Sequence, residues 1–131
     1  MPIKLAWDDD AKTVIRYRAE GIWNWNELHK NAKLATFALG NVPHPVETIF
    51  DLSRSIRLPA GAIGHLRSLG KRDHPNRQPR IIIIGVDASV QQQLGAQDGV
   101  YRAADQLVRF VGDEAEAQHV LSEWRSEGQN N

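Results

Sequence analysis

Apolar and polar positions along the chain fall into short runs of two kinds. Residues 3–7 and 13–18 are rich in β-branched groups, and Asp8, Asp9, Asp10, Ala11 and Lys12 between them suit a turn, so the chain is predicted to open with a β-hairpin. Asn24 stands three residues before Glu27, the spacing of a capping box. Leu28, Ala32, Ala35 and Leu39 then recur on one helical face until Gly40, Asn41, Pro43 and Pro45 end the element, which predicts a first helix over about 24–39. Val46, Thr48 and Phe50 alternate with Glu47, Ile49 and Asp51, a third strand that is apolar on both sides of its middle and therefore internal. Pro59 preorganises a second helix carrying the stripe Ile63, Leu66 and Leu69, with Gly70 as its stop. Residues 71–80, with Pro75, Pro79 and a dense set of charges, read as an exposed connection.

Four consecutive isoleucines, Ile81, Ile82, Ile83 and Ile84, fit a central strand covered on both faces, the usual condition of a parallel sheet. Residues 88–107 read as helical, as one helix or as two, since Gly95 and Gly99 each cost ~1 kcal/mol in a helix relative to alanine. A short strand over 108–111 follows. Asp113 and Glu116 then repeat the capping spacing ahead of a last helix bearing Ala117, Val120, Leu121 and Trp124, and residues 128–131 are expected to fray. The order β-β-α-β-α-β-α-β-α predicts one α/β domain over residues 1–127, built on a mixed, mostly parallel sheet.

Composition supports that reading and narrows the chemistry. The chain has 131 residues, 41% of them hydrophobic and 24% charged, with 16 basic and 16 acidic side chains, which is ordinary for a globular domain and excludes a disordered polyelectrolyte. There is no cysteine, so disulfides, thiolate metal sites and thiol nucleophiles are excluded. The longest apolar stretch, 81–86, is far shorter than the ~20 residues of a membrane helix, and the expectation is a cytoplasmic protein with no membrane span. His29, His44, His65, His74 and His119 include no His-x-x-x-His pair, so neither a metal nor a cofactor is expected.

Phe50-Asp51-Leu52-Ser53, the helix start over 58–66, the strand over 81–86 and the closing Phe110-Val111-Gly112-Asp113-Glu114-Ala115-Glu116-Ala117 together resemble the STAS domain. That family includes anti-sigma factor antagonists and the cytoplasmic tails of anion transporters, and the resemblance covers almost the whole chain through its order of elements. In the antagonists a helix-start Asp-Ser-Ser/Thr-Gly carries the hydroxyl that a partner kinase phosphorylates. The matching positions here are Pro59, Ala60, Gly61 and Ala62, so the resemblance implies a stand-alone regulatory domain that lacks the phosphoryl acceptor. Ser53 and Ser55 are the nearest alternative hydroxyls, both ahead of the helix.

Charge is unevenly spread. Arg54, Arg57, Arg67, Lys71, Arg72, Arg77 and Arg80 face a single acid, Asp73, in residues 54–80, whereas residues 113–127 are acidic. The favoured expectation is a non-enzymatic domain that binds a protein partner or an anion through Ser53, Arg54, Arg57, Ala60, Gly61, Gly64 and Arg67, where a loop meets a helix N-terminus. The alternative is a carrier or sensor of a small anionic or amphipathic ligand, its charge on those arginines and its apolar part near Trp23 or Phe37. The close glycines Gly61 and Gly64 lack a nucleotide-binding pattern and are expected to allow tight helix packing. No aromatic residue interleaves the basic stretch, so nucleic acid is not an expected partner. For an enzyme, Asp51 at a strand end and His65 on the next helix would be the first candidates. Of Trp23 and Trp25, which flank Asn24, one is expected inside and one partly exposed. The apolar excess of the first helix at Leu34, Phe37 and Ala38 would suit a homodimer, a hydrophobic ligand or a wide core contact.

Overall fold

A computed structural model describes residues 2–68, 74–103 and 106–129. Its strands are β1 (Ile3–Trp7), β2 (Val14–Gly21), β3 (Val46–Ser55), β4 (Arg77–Ile84), β5 (Val100–Ala103) and β6 (Gln106–Val111). The helices are α1 (Trp25–Leu39), α2 (Ala62–Ser68), α3 (Ala88–Leu94) and α4 (Glu114–Gln129). One six-stranded sheet runs in the order β1-β2-β3-β4-β6-β5. The four inner strands are parallel, and β1 and β5 pair antiparallel at the two edges.

Strand periodicity assigns each inner residue to one of two cores. Ile81 and Ile83, with Phe50 and Tyr17, pack under α1, α2 and α3. Ile82 and Ile84, with Ile49, pack against Ala117, Val120, Leu121 and Trp124 of α4. The isoleucine run is therefore central and covered on both sides, as its lack of alternation implies. Both expected caps form: Asn24 Oδ1 accepts from the Glu27 amide at 2.9 Å, and Asp113 Oδ1 accepts from the Glu116 amide at 2.9 Å.

Three elements differ from the sequence reading. The first is β4, which begins at Arg77, inside the stretch expected to be an exposed connection; residues 69–73, including Leu69, Gly70, Lys71, Arg72 and Asp73, lie outside the described residues. While β4 advances from Arg77 to Ile81, its partner β3 advances only from Val46 to Thr48, and this register shift accommodates Pro79, which has no amide for the ladder. The second is the expected helix over 88–107, which stops at Leu94 because Gly95 takes the left-handed conformation (φ 82°) that caps it. The chain then turns at Gly99 (φ 77°), where an added Cβ would lie 2.9 Å from the Phe110 carbonyl oxygen, and returns as the unexpected edge strand β5. The third is α4, which continues to Gln129 where fraying was expected from 128; residues 130 and 131 lie outside the described residues. Smaller shifts lengthen β3 to Ser55 and start α2 at Ala62 rather than Pro59.

Candidate functional site

β3 carries the chain from the middle of the sheet to the loop that leads into α2, and two tryptophans hold that loop. Trp23 donates from Nε1 to Ser55 Oγ at 2.8 Å, and Ser55 Oγ donates to the Arg57 carbonyl at 3.0 Å. Trp25 donates from Nε1 to the Ala60 carbonyl at 2.9 Å and stacks its ring on His65, with centroids 4.5 Å apart and planes at 10°. Both tryptophans are buried, at 3% and 7% exposure, which corrects the expectation that one would be partly exposed. Each indole buries its apolar body and spends its single donor on the loop, so neither ring needs solvent.

The segment is therefore fixed by its own hydrogen bonds. Ser53 donates from its amide (2.9 Å) and its hydroxyl (2.6 Å) to Asp51 Oδ1. Gly61 turns the chain into α2 at φ 84°, and Gly64 has open space where a Cβ would stand. The expectation that these glycines permit tight helix packing is thus overturned: one supplies backbone geometry and the other packs against nothing.

The basic stretch does not form one patch. Arg54 is exposed at the end of β3, its Nη1 3.6 Å from Glu20, Arg57 is exposed on the loop that follows, and Arg67 is exposed on α2. Arg80 lies on the α4 side, donating to Glu47 and stacked on Trp124 at 4.5 Å, while Arg77 is buried beneath α1 and α2. Strand alternation sends neighbouring cations to opposite faces, which residue counting along the chain does not register.

Asp51 and His65 are also separated. Asp51 Oδ2 accepts from buried Arg16 at 2.9 Å on the α4 face, whereas His65 stacks on Trp25 on the other face. Burial pushes the Asp51 carboxyl up, but hydrogen bonds from Ser53 and the charge of Arg16 outweigh it and hold the carboxyl below the usual aspartate range. Burial also disfavours the Arg16 cation, yet hydrogen bonds to Asp8 and Glu114 overcome that and raise its proton affinity. This is the geometry of a structural brace.

A cavity of about 180 Å³ lies between α1, α2 and the sheet. Its floor is Tyr17, Thr48, Arg77 and Gln106, its apolar wall is Trp25, Leu28, Phe50 and Ile81, and its exposed rim includes His29 and Ser68. Arg77 donates to Thr48 Oγ1 at 2.7 Å and to Tyr17 Oη at 3.0 Å. The ligand site expected from Arg54, Arg57 or Arg67 with Trp23 or Phe37 is not assembled: Trp23 is inside the core, while Phe37 is 77% exposed on the outer face of α1. Sequence reading passed over Arg77 because it sits among prolines and charges. A usable signal was Thr48, a polar residue between the apolar neighbours of an internal strand. Among the described residues, no group of three or more His, Asp or Glu could hold a metal, and no helix is long and apolar enough to cross a membrane.

No protein-family model matches the chain, and no curated protein matches it. A solved structure does: an uncharacterised protein of the DUF3478 family from Shewanella loihica PV-4, described as having a SpoIIAA-like fold. The two are 18% identical, the match covers 91% of each chain, and the TM-score is 0.52. The chain has a SpoIIAA-like, STAS-like fold. The segment expected from the sequence resemblance to correspond to the antagonists' phosphorylated turn is the one pinned by Trp25, and it presents Ala60 and Gly61 immediately before α2.

Proposed function

We propose that this STAS-like domain is a non-enzymatic protein-interaction module that docks an acidic partner through the ends of β2 and β3, without a serine-phosphorylation switch. One observation carries the reading. Ile22 and Ile56 are 63% and 71% exposed on adjoining backbone, where the Ile56 amide donates to the Gly21 carbonyl at 2.9 Å, and Arg54 and Arg57 flank them. Two large aliphatic side chains held in water beside arginines fit an interface with an apolar centre and a charged rim.

The missing phosphoryl acceptor supports the second half of the proposal. Ala60 and Gly61 have no hydroxyl, Ser55 spends its hydroxyl on the Arg57 carbonyl, and Ser53 spends its own on Asp51. The test compares partners captured by the native chain and by Ile22→Asp/Ile56→Asp, with circular dichroism and thermal midpoints as fold controls. A partner captured by the native chain and lost by the folded double variant is the expected result. An identical set of partners from both would remove this face from consideration. A second reading, a small-ligand carrier or sensor, is favoured by the cavity over Arg77.

A further inference from the structure

We propose that the outer edge of β1 is the seam of a homodimer, in which a second copy of this chain adds its own β1 antiparallel and continues the sheet across a two-fold axis at Leu5. This goes beyond the docking face at Ile22 and Ile56 and does not depend on it.

The backbone of β1 supplies the first observation. β1 is an end strand, and among the described residues no strand pairs with its outer side. In an antiparallel ladder the residues that exchange hydrogen bonds with the neighbour recur at every second position. The Asp8 amide donates to the Val14 carbonyl at 2.8 Å and the Glu20 amide to the Pro2 carbonyl at 2.7 Å, just beyond the two ends of the register that pairs Ile3 with Ala19 and Trp7 with Ile15. Pro2, Lys4, Ala6 and Asp8 therefore turn their backbone groups to β2, while Ile3, Leu5 and Trp7 turn theirs outward. Edges are commonly blunted by a proline, a bulge, a charge or a covering segment. Residues 3–7 contain no proline, their register with β2 is unbroken, and their charge is Lys4.

The side chains select the occupant. A two-fold axis at Leu5 pairs Ile3 with Trp7 of the second copy and Leu5 with its own counterpart, and these are the residues whose backbone groups face outward. Every outward amide and carbonyl of residues 3–7 then has a partner. Ile3, Leu5 and Trp7 also share the α1 face of the sheet, where they join the core, so the seam is apolar on that side. On the other side Lys4 stands opposite Ala6 of the second copy rather than opposite another lysine, and it keeps Glu20 at 3.9 Å within its own chain. Helix α1 packs beside β1 and widens the contact. Trp25, His29 and Ala32 line the cavity next to α2, and Leu34 lies about half a turn round the helix from Trp25, on the β1 side. Leu34 is 61% exposed, and with partly buried Ala38 it extends the apolar surface of Leu5 and Trp7 toward the second copy. Such an isologous pairing closes after two chains and covers the edge without building a fibre.

Sedimentation equilibrium of the whole chain, from micromolar to about 0.5 mM, reads the association. The native chain is expected to rise with concentration from the 14.7 kDa of one chain to the mass of two. Ala6 is exposed, and Ala6→Lys sets like charges directly opposite each other across the seam, whereas Ala6→Glu sets a carboxylate opposite Lys4. The lysine variant should dimerise about tenfold more weakly, and the glutamate variant at least as tightly as the native chain. Leu5→Pro removes an outward amide without taking a hydrogen bond from β2, and should abolish the dimer. Leu34→Asp, at an exposed position, repeats that loss if circular dichroism shows that the proline variant does not fold. The proposal is overturned if the native chain keeps the mass of one chain throughout, whether or not the edge then takes a strand from another protein. It is equally overturned if the two Ala6 variants associate alike, or if the folded blocking variant dimerises as the native chain does.

Discussion

The two faces of the sheet handle buried arginine in different ways. On the α4 face Arg16 donates to Asp8, Asp51 and Glu114, and Arg80 to Glu47. These cations are neutralised in place by carboxylates, and their surroundings are filled by α4 and Trp124. On the opposite face Arg77 donates to the hydroxyls of Thr48 and Tyr17 beside a cavity. Carboxylates thus surround Arg16 and meet Arg80, and the hydroxyls of Thr48 and Tyr17 are among the neighbours of Arg77. A buried arginine gains its meaning from what lies next to its guanidinium, because desolvating a charge is costly unless counter-charges or strong acceptors compensate.

The largest effect expected from this contrast is at Asp51. Asp51→Ala removes the innermost partner of Arg16 and should destabilise the fold by about 3 kcal/mol in urea unfolding, the scale of a broken buried ion pair. The pH dependence follows from its depressed proton affinity: the contribution is complete above the unfolded carboxyl value and is lost as pH falls through the lower folded one. Native protein should therefore lose this part of its stability below about pH 4, and Asp51→Asn should show a shallower acid limb. An unchanged acid limb in Asp51→Asn would show that the Arg16 brace does not depend on this carboxylate.

On the cavity side, Trp25→Phe removes the hydrogen bond to Ala60 and part of the stack on His65. It should cost about 2 kcal/mol and raise amide hydrogen exchange in residues 56–61 while leaving α4 protected. Equal loosening of both faces would contradict the separate bracing of each. The glycines around the start of α2 give a smaller pair of opposite sign. Gly61→Ala, at φ 84°, should destabilise by about 1 kcal/mol. Gly64→Ala, within the helix and facing open space, should stabilise by about 0.5–1 kcal/mol, both read from thermal midpoints. Smallest of all is Arg54→Ala, which breaks an exposed pair with Glu20 and should change stability by less than about 0.5 kcal/mol while weakening partner capture.

Much of the architecture could be read from one dimension because its signals are local. The isoleucine run required cover on both sides, Asn24 and Asp113 marked helix starts through their own hydrogen bonds, and the strand–helix alternation led to a STAS-like domain. The edge strand β5 was missed because its four residues carry too little pattern to compete with a helical reading of their surroundings, although Gly95 and Gly99 marked the break. The contacts of Arg77 were missed for a different reason. Thr48 and Arg77 are 29 positions apart, and Tyr17 and Arg77 are 60 apart, so no local spacing announces their contact.

The sequence by itself determined the class of fold, the absence of cysteine and the absence of a hydroxyl at Pro59, Ala60, Gly61 and Ala62, since each depends on residue identity or short-range periodicity. Only the tertiary structure decided which charges meet. It sent Arg77 under α1 and α2 and Arg80 under α4, tied Asp51 to Arg16 on the face opposite His65, and turned Trp23 and Trp25 inward to hold the loop. Strand pairing and alternation fix those outcomes, and the pairing of β2, β3 and β4 is a long-range choice made by burial of the whole sheet.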